Sequence, residues 1–236
     1  MANLAEPLPV VCATCALGPL CATRPGRGDE SSPVECRQRL APGEPLYTAG
    51  SPAGAVYGVR AGFLKMSSAD GAGGRHIVRF LIPGDIAGLD AFSGTHSCEA
   101  IALADTEVCK IPAWRLEMLA DYDGRSRVHL RSLMTDELAE AHGHSAAVAR
   151  LTATQRVAHF LLALSRRWSR RGFSPNSFRL PMQRREIGEH LGLTMETVSR
   201  ILSDFKARGW VKLPPHAVEI VAPEALRGLL DGASAA

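Results

Sequence analysis

The sequence predicts an α+β protein: an N-terminal antiparallel β-roll, a long helix, and a C-terminal winged helix-turn-helix. Three observations predict it. Across residues 40–112, short β-type runs are punctuated by turn residues at near-regular spacing, the pattern of a small antiparallel roll. Across residues 125–150 the apolar spacing becomes that of one long helix. Residues 185–202, REIGEHLGLTMETVSRIL, then read as two helices joined by a tight glycine turn.

Taken in order, residues 1–35 are rich in Cys, Pro, Gly and Ser and form an irregular segment organised by whatever its cysteines bind. Residues 36–112 are the roll. Its runs are 46–48 before Gly50, 55–59 before Gly62, 63–66 before Asp70-Gly71, 76–82 before Pro83-Gly84-Asp85, and 100–111 before Pro112. Residues 113–150 are helical, with a short helix at 114–119 and a long one at 125–150. The long helix carries Leu130, Met134, Leu138, Ala141, Ser145 and Val148. From Met134 the steps are 4, 3, 4 and 3, a coiled-coil seam. That seam predicts a parallel homodimer; the competing expectation is that the stripe packs on the roll.

Residues 151–236 form the DNA-binding domain. Its first helix, 154–171, turns Val157, Phe160, Leu161 and Leu164 inward. In the helix-turn-helix, Gly188 leaves room for a close crossing and Gly192 takes the left-handed conformation of the turn. Thr194 is the expected N-cap of the second helix. Ile187, Leu191, Leu193, Val198 and Ile201 point inward, while Glu196, Ser199 and Arg200 lie on the other face. Glu196 suits a cytosine amino group and Arg200 a guanine edge, with Ser199 a third base-facing residue and Thr197 beside them. Residues 210–213 and 217–221 are the expected wing.

Charge divides the same way. Residues 1–149 hold 13 Lys and Arg against 17 Asp and Glu, a net of −4, whereas residues 150–236 hold 14 against 7, a net of +7. A basic module joined to an acidic one fits a phosphate-binding domain attached to a part that does not touch DNA. Arg166, Arg167, Arg170, Arg171, Arg184 and Arg185 make up the expected electrostatic footprint. No apolar run approaches the roughly 18 residues of a membrane span, and the N-terminus lacks the basic and apolar regions of a secretory signal. The expectation is a cytoplasmic protein without a membrane partner. No Ser/His/Asp cluster, phosphate loop or paired carboxylates suggest an enzyme.

In a reducing compartment the six cysteines are not a disulfide framework. Cys12, Cys15 and Cys21 form a C-x2-C-x5-C loop compact enough for three thiolates to converge. A [4Fe–4S] core needs a fourth cysteine, from Cys36, Cys98 or Cys109. On spacing alone, structural zinc is an equal reading. His142 and His144, two residues apart, do not share a helical face and are expected to be solvated.

The roll, dimer helix and winged helix-turn-helix together resemble the cyclic-AMP receptor protein superfamily, and within it the fumarate-and-nitrate-reduction regulator (FNR) branch. The resemblance runs from Cys12 to about Pro223. It is densest at Leu164-Ser165-Arg166-Arg167, Arg171-Gly172-Phe173-Ser174-Pro175, Phe178-Arg179-Leu180 and LGLTMETVSR, residues 191–200. It implies a cyclic-nucleotide-binding-like roll. Glu107-Val108-Cys109-Lys110-Ile111-Pro112 looks like the distal cluster cysteine of FNR proteins, so the implied ligands are Cys12, Cys15, Cys21 and Cys109, with Cys98 a second choice. The remaining thiols are expected to be inert and buried.

The resemblance further implies an oxygen-responsive regulator. Its intact [4Fe–4S] cluster favours the homodimer, and the dimer sets two recognition helices about 34 Å apart on DNA. Glu196, Ser199 and Arg200 match the FNR readout set, implying operators like TTGAT-N4-ATCAA and RNA polymerase as a partner. Two departures stand out. The superfamily's Gly-Glu and Arg-Ser nucleotide pairs read here as Gly88-Leu89-Asp90 and His96-Ser97-Cys98, with no arginine to fork onto a cyclic phosphate, so cyclic AMP is not expected. Ala141 stands where an acidic seam residue can repel its mate. Ala16 and Leu20, beside the ligands, are expected to slow oxygen access. Competing expectations are a nitric-oxide or haem-gas sensor of the same fold, or a zinc-stabilised constitutive DNA-binding protein.

Overall fold

The computed structural model describes residues 12–22, 32–69 and 75–231. The rest of the expected irregular segment, residues 1–11 and 23–31, lies outside the described residues. A 3-10 turn at Cys12–Thr14 leads to the short helix α1 (Gly18–Ala22). The roll follows as β1 (Cys36–Leu40), β2 (Pro45–Tyr47), β3 (Ala55–Ala61), β4 (Leu64–Ala69), β5 (Arg75–Leu81), β6 (Ile86–Ala87), β7 (Glu99–Ala102) and β8 (Thr106–Pro112). These pair antiparallel in two four-stranded sheets, ordered β1-β8-β3-β6 and β2-β7-β4-β5. Leu40, Val59, Leu64, Leu81, Ala100 and Val108 fill one core.

Two strands differ from the expected runs. Residues 100–111 split into β7 and β8, because the Thr106 hydroxyl donates to Ala104 O at 2.7 Å and folds residues 103–105 into a turn. Strand β1, sequence CRQRL, carried no apolar alternation; it is an edge strand in which only Leu40 is buried.

The helices α2 (Ala113–Tyr122) and α3 (Gly124–Arg150) come next. Asp123 opens α3 by accepting from the main-chain N–H groups of Arg125 and Ser126. A second core joins Leu17 and Leu20 of the cysteine loop to Ile111, Leu116, Leu119, Leu130 and Leu133. Leu130 therefore departs from the expected seam: it is 8% exposed and packs inward. Extended back from Met134, the 4-3 alternation reaches Arg131, so Leu130 falls on the neighbouring, core-facing stripe with Leu133.

The remaining elements are α4 (Ala153–Arg170), β9 (Ser177–Arg179), α5 (Arg184–Leu191), α6 (Met195–Ala207), β10 (Val211–Lys212), β11 (Ala217–Ile220) and α7 (Pro223–Asp231). Thr152 and Gln155 form a capping box on α4. Val157, Phe160, Leu161 and Leu164 of α4 are buried. The wing is β10-β11 with β9 added to its edge. Helix α7, which no periodicity signalled, packs on α4, where Gln155 Nε2 donates to Leu229 O at 2.8 Å. The chain forms two compact units divided between Ala139 and Glu140, inside α3 rather than after it. No helix among the described residues is long and apolar enough to cross a membrane.

Candidate cysteine cavity and nucleic-acid interface

Cys12, Cys15, Cys21 and Cys109 line one cavity of about 650 Å³. The first three come from the turn and α1; the last comes from the middle of β8, across the ladder from Arg37 on one side and Gly58 on the other. Leu17, Val34, Arg37, Gly58 and Arg60 complete much of its wall. Gly58 matters because a Cβ there would stand 3.1 Å from Leu17 Cδ1 and 3.6 Å from Cys15 Sγ. The missing side chain lets the cysteine loop lie against β3.

Electrostatics follow from this crowding. Burial, then the Cys15, Cys12 and Cys109 sulfurs, push the Cys21 thiol up to about 12. Burial also raises Cys109, against the opposing pull of Arg37 and Arg60. Arg60 is held by Glu107 at 2.7 Å. Two guanidinium groups thus stand in the wall of a cavity whose sulfurs, once ionised, would repel one another.

The donor set bears on what could be held there. Among the described residues no group of three or more Cys, His, Asp or Glu side chains is drawn together in the way that holds one metal ion. Four thiolates can also hold one zinc ion tetrahedrally, each sulfur at about 2.3 Å from the metal. The four cysteines on one cavity wall match in number the one thiolate for each iron that a four-iron core takes. Cys98 does not line the cavity. Cys36 is exposed, not buried as expected, because β1 is an edge strand. Nor do Ala16 and Leu20 line the cavity: Leu20 is 1% exposed in the second core, and Leu17 occupies the wall instead.

Where the resemblance puts the superfamily's nucleotide pairs, Asp90 accepts from His96 Nδ1 at 2.9 Å, from Ser97 N at 2.7 Å and from Ser97 Oγ at 3.0 Å. Burial works against its charge, but these donors outweigh it and hold Asp90 below the usual carboxylate range. His96 is buried and stacks on Tyr47 with ring centroids 3.7 Å apart. The donors that could meet a phosphate are already taken by a carboxylate.

In the C-terminal unit, α5 and α6 meet at Gly192, whose φ of 64° is the left-handed turn the sequence anticipates. At Gly188 a Cβ would sit 2.5 Å from Leu193 O, so the close approach is between α5 and the turn itself. Thr194 caps α6 by accepting from Thr197 N. Thr197 also hydrogen-bonds the Thr194 hydroxyl at 3.1 Å, committing its side chain to the cap. Glu196 and Arg200 are exposed and Ser199 is half-buried on α6. Arg184 is half-buried, and desolvation lowers its pKa; Arg185 is exposed and pairs with Glu189 at 2.9 Å. Met195, exposed at the start of α6, is a surface feature that the inward/outward periodicity did not single out.

Along α3, Met134 and Leu138 are 37% and 56% exposed, and Ala141 and Ser145 are also exposed. Val148 is half-buried and lies within 3.8 Å of where a Gly192 Cβ would be. His144 is not solvated as expected. Its ring stacks on His190 of α5 with centroids 4.1 Å apart, and Phe160 packs edge-on to His190.

Comparison with known proteins follows the same division of the chain. Residues 37–123 match the cyclic nucleotide-binding domain, and residues 155–229 match the Crp-like helix-turn-helix domain. The chain is 37% identical over 226 residues to the transcriptional regulatory protein btr of Bordetella pertussis, covering 93% of each. It is 36% identical over 226 residues to the transcriptional activator protein anr of Pseudomonas aeruginosa, covering 94% of this chain and 93% of that one. With the fumarate and nitrate reduction regulatory protein of Escherichia coli it shares 34% identity over 197 residues, 83% of this chain and 79% of the other. Among solved structures, FixK2 from Bradyrhizobium japonicum matches with a TM-score of 0.75 and 34% identity, covering 82% of this chain and 96% of that one.

Proposed function

This chain belongs to the CRP/FNR family of transcriptional regulators, and from that premise we propose that it is an oxygen-responsive regulator whose cysteine cavity holds a [4Fe–4S] cluster. It binds DNA through its helix-turn-helix and is not an enzyme. The observation that carries the sensor reading is the convergence of Cys12, Cys15, Cys21 and Cys109 on one cavity. These four residues would be the ligands, with Arg37 and Arg60 offsetting their negative charge. When bound, such a cluster supplies an oxygen-labile core whose loss returns four free thiols. The chain's own residues do the rest. The α1 loop changes its packing against the second core, and α3 carries that change to the exposed stripe of Met134, Leu138, Ala141 and Ser145.

The dimer formed on that stripe presents two α6 helices to an inverted repeat, TTGAT-N4-ATCAA in type, in the cytoplasm and in reach of RNA polymerase. Glu196, Ser199 and Arg200 read bases, while Arg184 and Arg185 sit at the start of α5 beside the phosphates. Met134 and Leu138 supply the apolar part of the seam, and Ala141 removes a source of charge repulsion. The Asp90–His96–Ser97 network supports a roll that takes no cyclic nucleotide, since a phosphate would meet the Asp90 carboxylate.

The test is purification without air, with iron and acid-labile sulfide measured per chain and operator binding measured before and after aeration. About four irons per chain, with operator affinity lost in air, is the expected result. Colourless, iron-free protein that binds its operator equally in both conditions would overturn the reading. Stoichiometric zinc with no absorbance change would favour the constitutive alternative.

A further inference from the structure

A directional contact joins the cysteine loop to α3. His129 Nε2 lies 2.8 Å from the main-chain oxygen of Ala16. A carbonyl oxygen only accepts, so the imidazole holds a proton on Nε2 and donates it. The N–H of the same residue, Ala16, donates to Gly84 O at 3.0 Å, tying the loop to the turn after β5. Ala16 directly follows Cys15. On its other side Leu17 and Leu20 pack in the same core as Leu130 and Leu133 of α3. The stretch between the second and third cavity cysteines is thus a surface on which the early turns of α3 rest.

Apolar contacts hold the helix against that surface, but they are non-directional and set its position only loosely. A hydrogen bond weakens steeply with misalignment, so it fixes the helix in register with the loop. A further polar tie, Arg79 to Glu137, joins β5 to α3 and bypasses the loop.

We propose that His129 is the positioning residue that makes α3 answer to the cysteine loop, because its hydrogen bond to Ala16 passes any displacement of residues 12–21 into the helix that bears Met134 and Leu138. This rests on the cluster reading above. When Ala16 moves, the part-buried donor on His129 loses its acceptor, and the helix must shift or fray to find another. Without the donor, the loop keeps its thiols but the helix no longer follows it.

The test uses the full chain with His129→Leu, which fills space without a donor, and His129→Gln, which keeps an N–H on a side chain of similar reach. Three quantities are read: iron and sulfide per chain after anaerobic reconstitution, dimer dissociation constants before and after air, and amide exchange across residues 125–133. The expected result for His129→Leu is wild-type iron content, with the air-dependent ratio of dissociation constants reduced about 3- to 10-fold. The exchange difference across residues 125–133 should shrink with it, and His129→Gln should restore both. A His129→Leu protein with the wild-type ratio, or equal losses in both variants, overturns the proposal. Should His129→Leu fail to fold, His129→Asn, whose shorter amide falls short of Ala16, takes its place. If the wild-type chain itself holds no iron, the cluster reading fails on its own. Exchange in the iron-free proteins then judges the contact: faster exchange in His129→Leu supports the tether, and unchanged exchange overturns it.

Discussion

Replacing Gly58 tests whether the cavity depends on space that β3 leaves open. A Cβ on this residue would approach Leu17 Cδ1 to 3.1 Å and Cys15 Sγ to 3.6 Å. Gly58 does not sit at positive φ, so the substitution acts through volume and not through backbone strain. For Gly58→Ala, Leu17 must yield by a few tenths of an ångström, and the cost should stay below about 1 kcal/mol. For Gly58→Val, two more methyl groups reach about 1.5 Å beyond that Cβ. They cannot both avoid Leu17 and Cys15 unless the loop lifts. Overpacking of this kind costs about 1–3 kcal/mol, a factor of roughly 5 to 150 in the loop's docking equilibrium. The assay pairs urea melts with iron and sulfide analysis after anaerobic reconstitution. Gly58→Ala should resemble the parent chain, while Gly58→Val should lose most of its iron and melt earlier. A Gly58→Val protein with full iron and an unchanged melt would show that the loop does not rest on β3.

Three further outcomes follow from the same structure. Gly188→Ala puts a Cβ 2.5 Å from Leu193 O, so operator affinity should fall at least about tenfold, corresponding to 1.4 kcal/mol; an unchanged Kd by fluorescence anisotropy would refute the close approach. Leu20→Ser removes a fully buried side chain and should lower unfolding stability by about 2–5 kcal/mol; faster decay in air with an unchanged urea midpoint would instead restore Leu20 as a barrier to oxygen. Leu138→Asp places a charge on the exposed stripe of α3 and should weaken dimerisation at least about tenfold by sedimentation, corresponding to 1.4 kcal/mol; an unaltered association constant would remove this stripe from the interface.

The helix-turn-helix was legible because its requirements are local. Gly188, Gly192 and Thr194 each answer to neighbours within a few residues, so spacing alone reveals them. The thiol loop is legible in part: Cys12, Cys15 and Cys21 are close in sequence, whereas only family likeness points to Cys109, because β8 brings it in from far along the chain. Gly58, Arg37 and Arg60 carried no signal, since a cavity wall built from separate strands leaves no periodic trace. Leu130 reads as a seam residue from spacing yet is buried, because the core-facing and outward stripes of α3 lie one residue apart in phase. The His144–His190 stack was invisible for a different reason: rules for one helix face say nothing of a ring arriving from another helix.

The carboxylate at position 90 has a consequence for anyone hoping to give this scaffold a response to a cyclic phosphate. Grafting a guanidinium alone would create an internal salt bridge with a side chain already waiting for it, and the newcomer would be spent before any effector arrived. Asp90 must go first, and with it the anchor that keeps His96 flat against Tyr47. An open berth and a fork to fill it would have to be built in together.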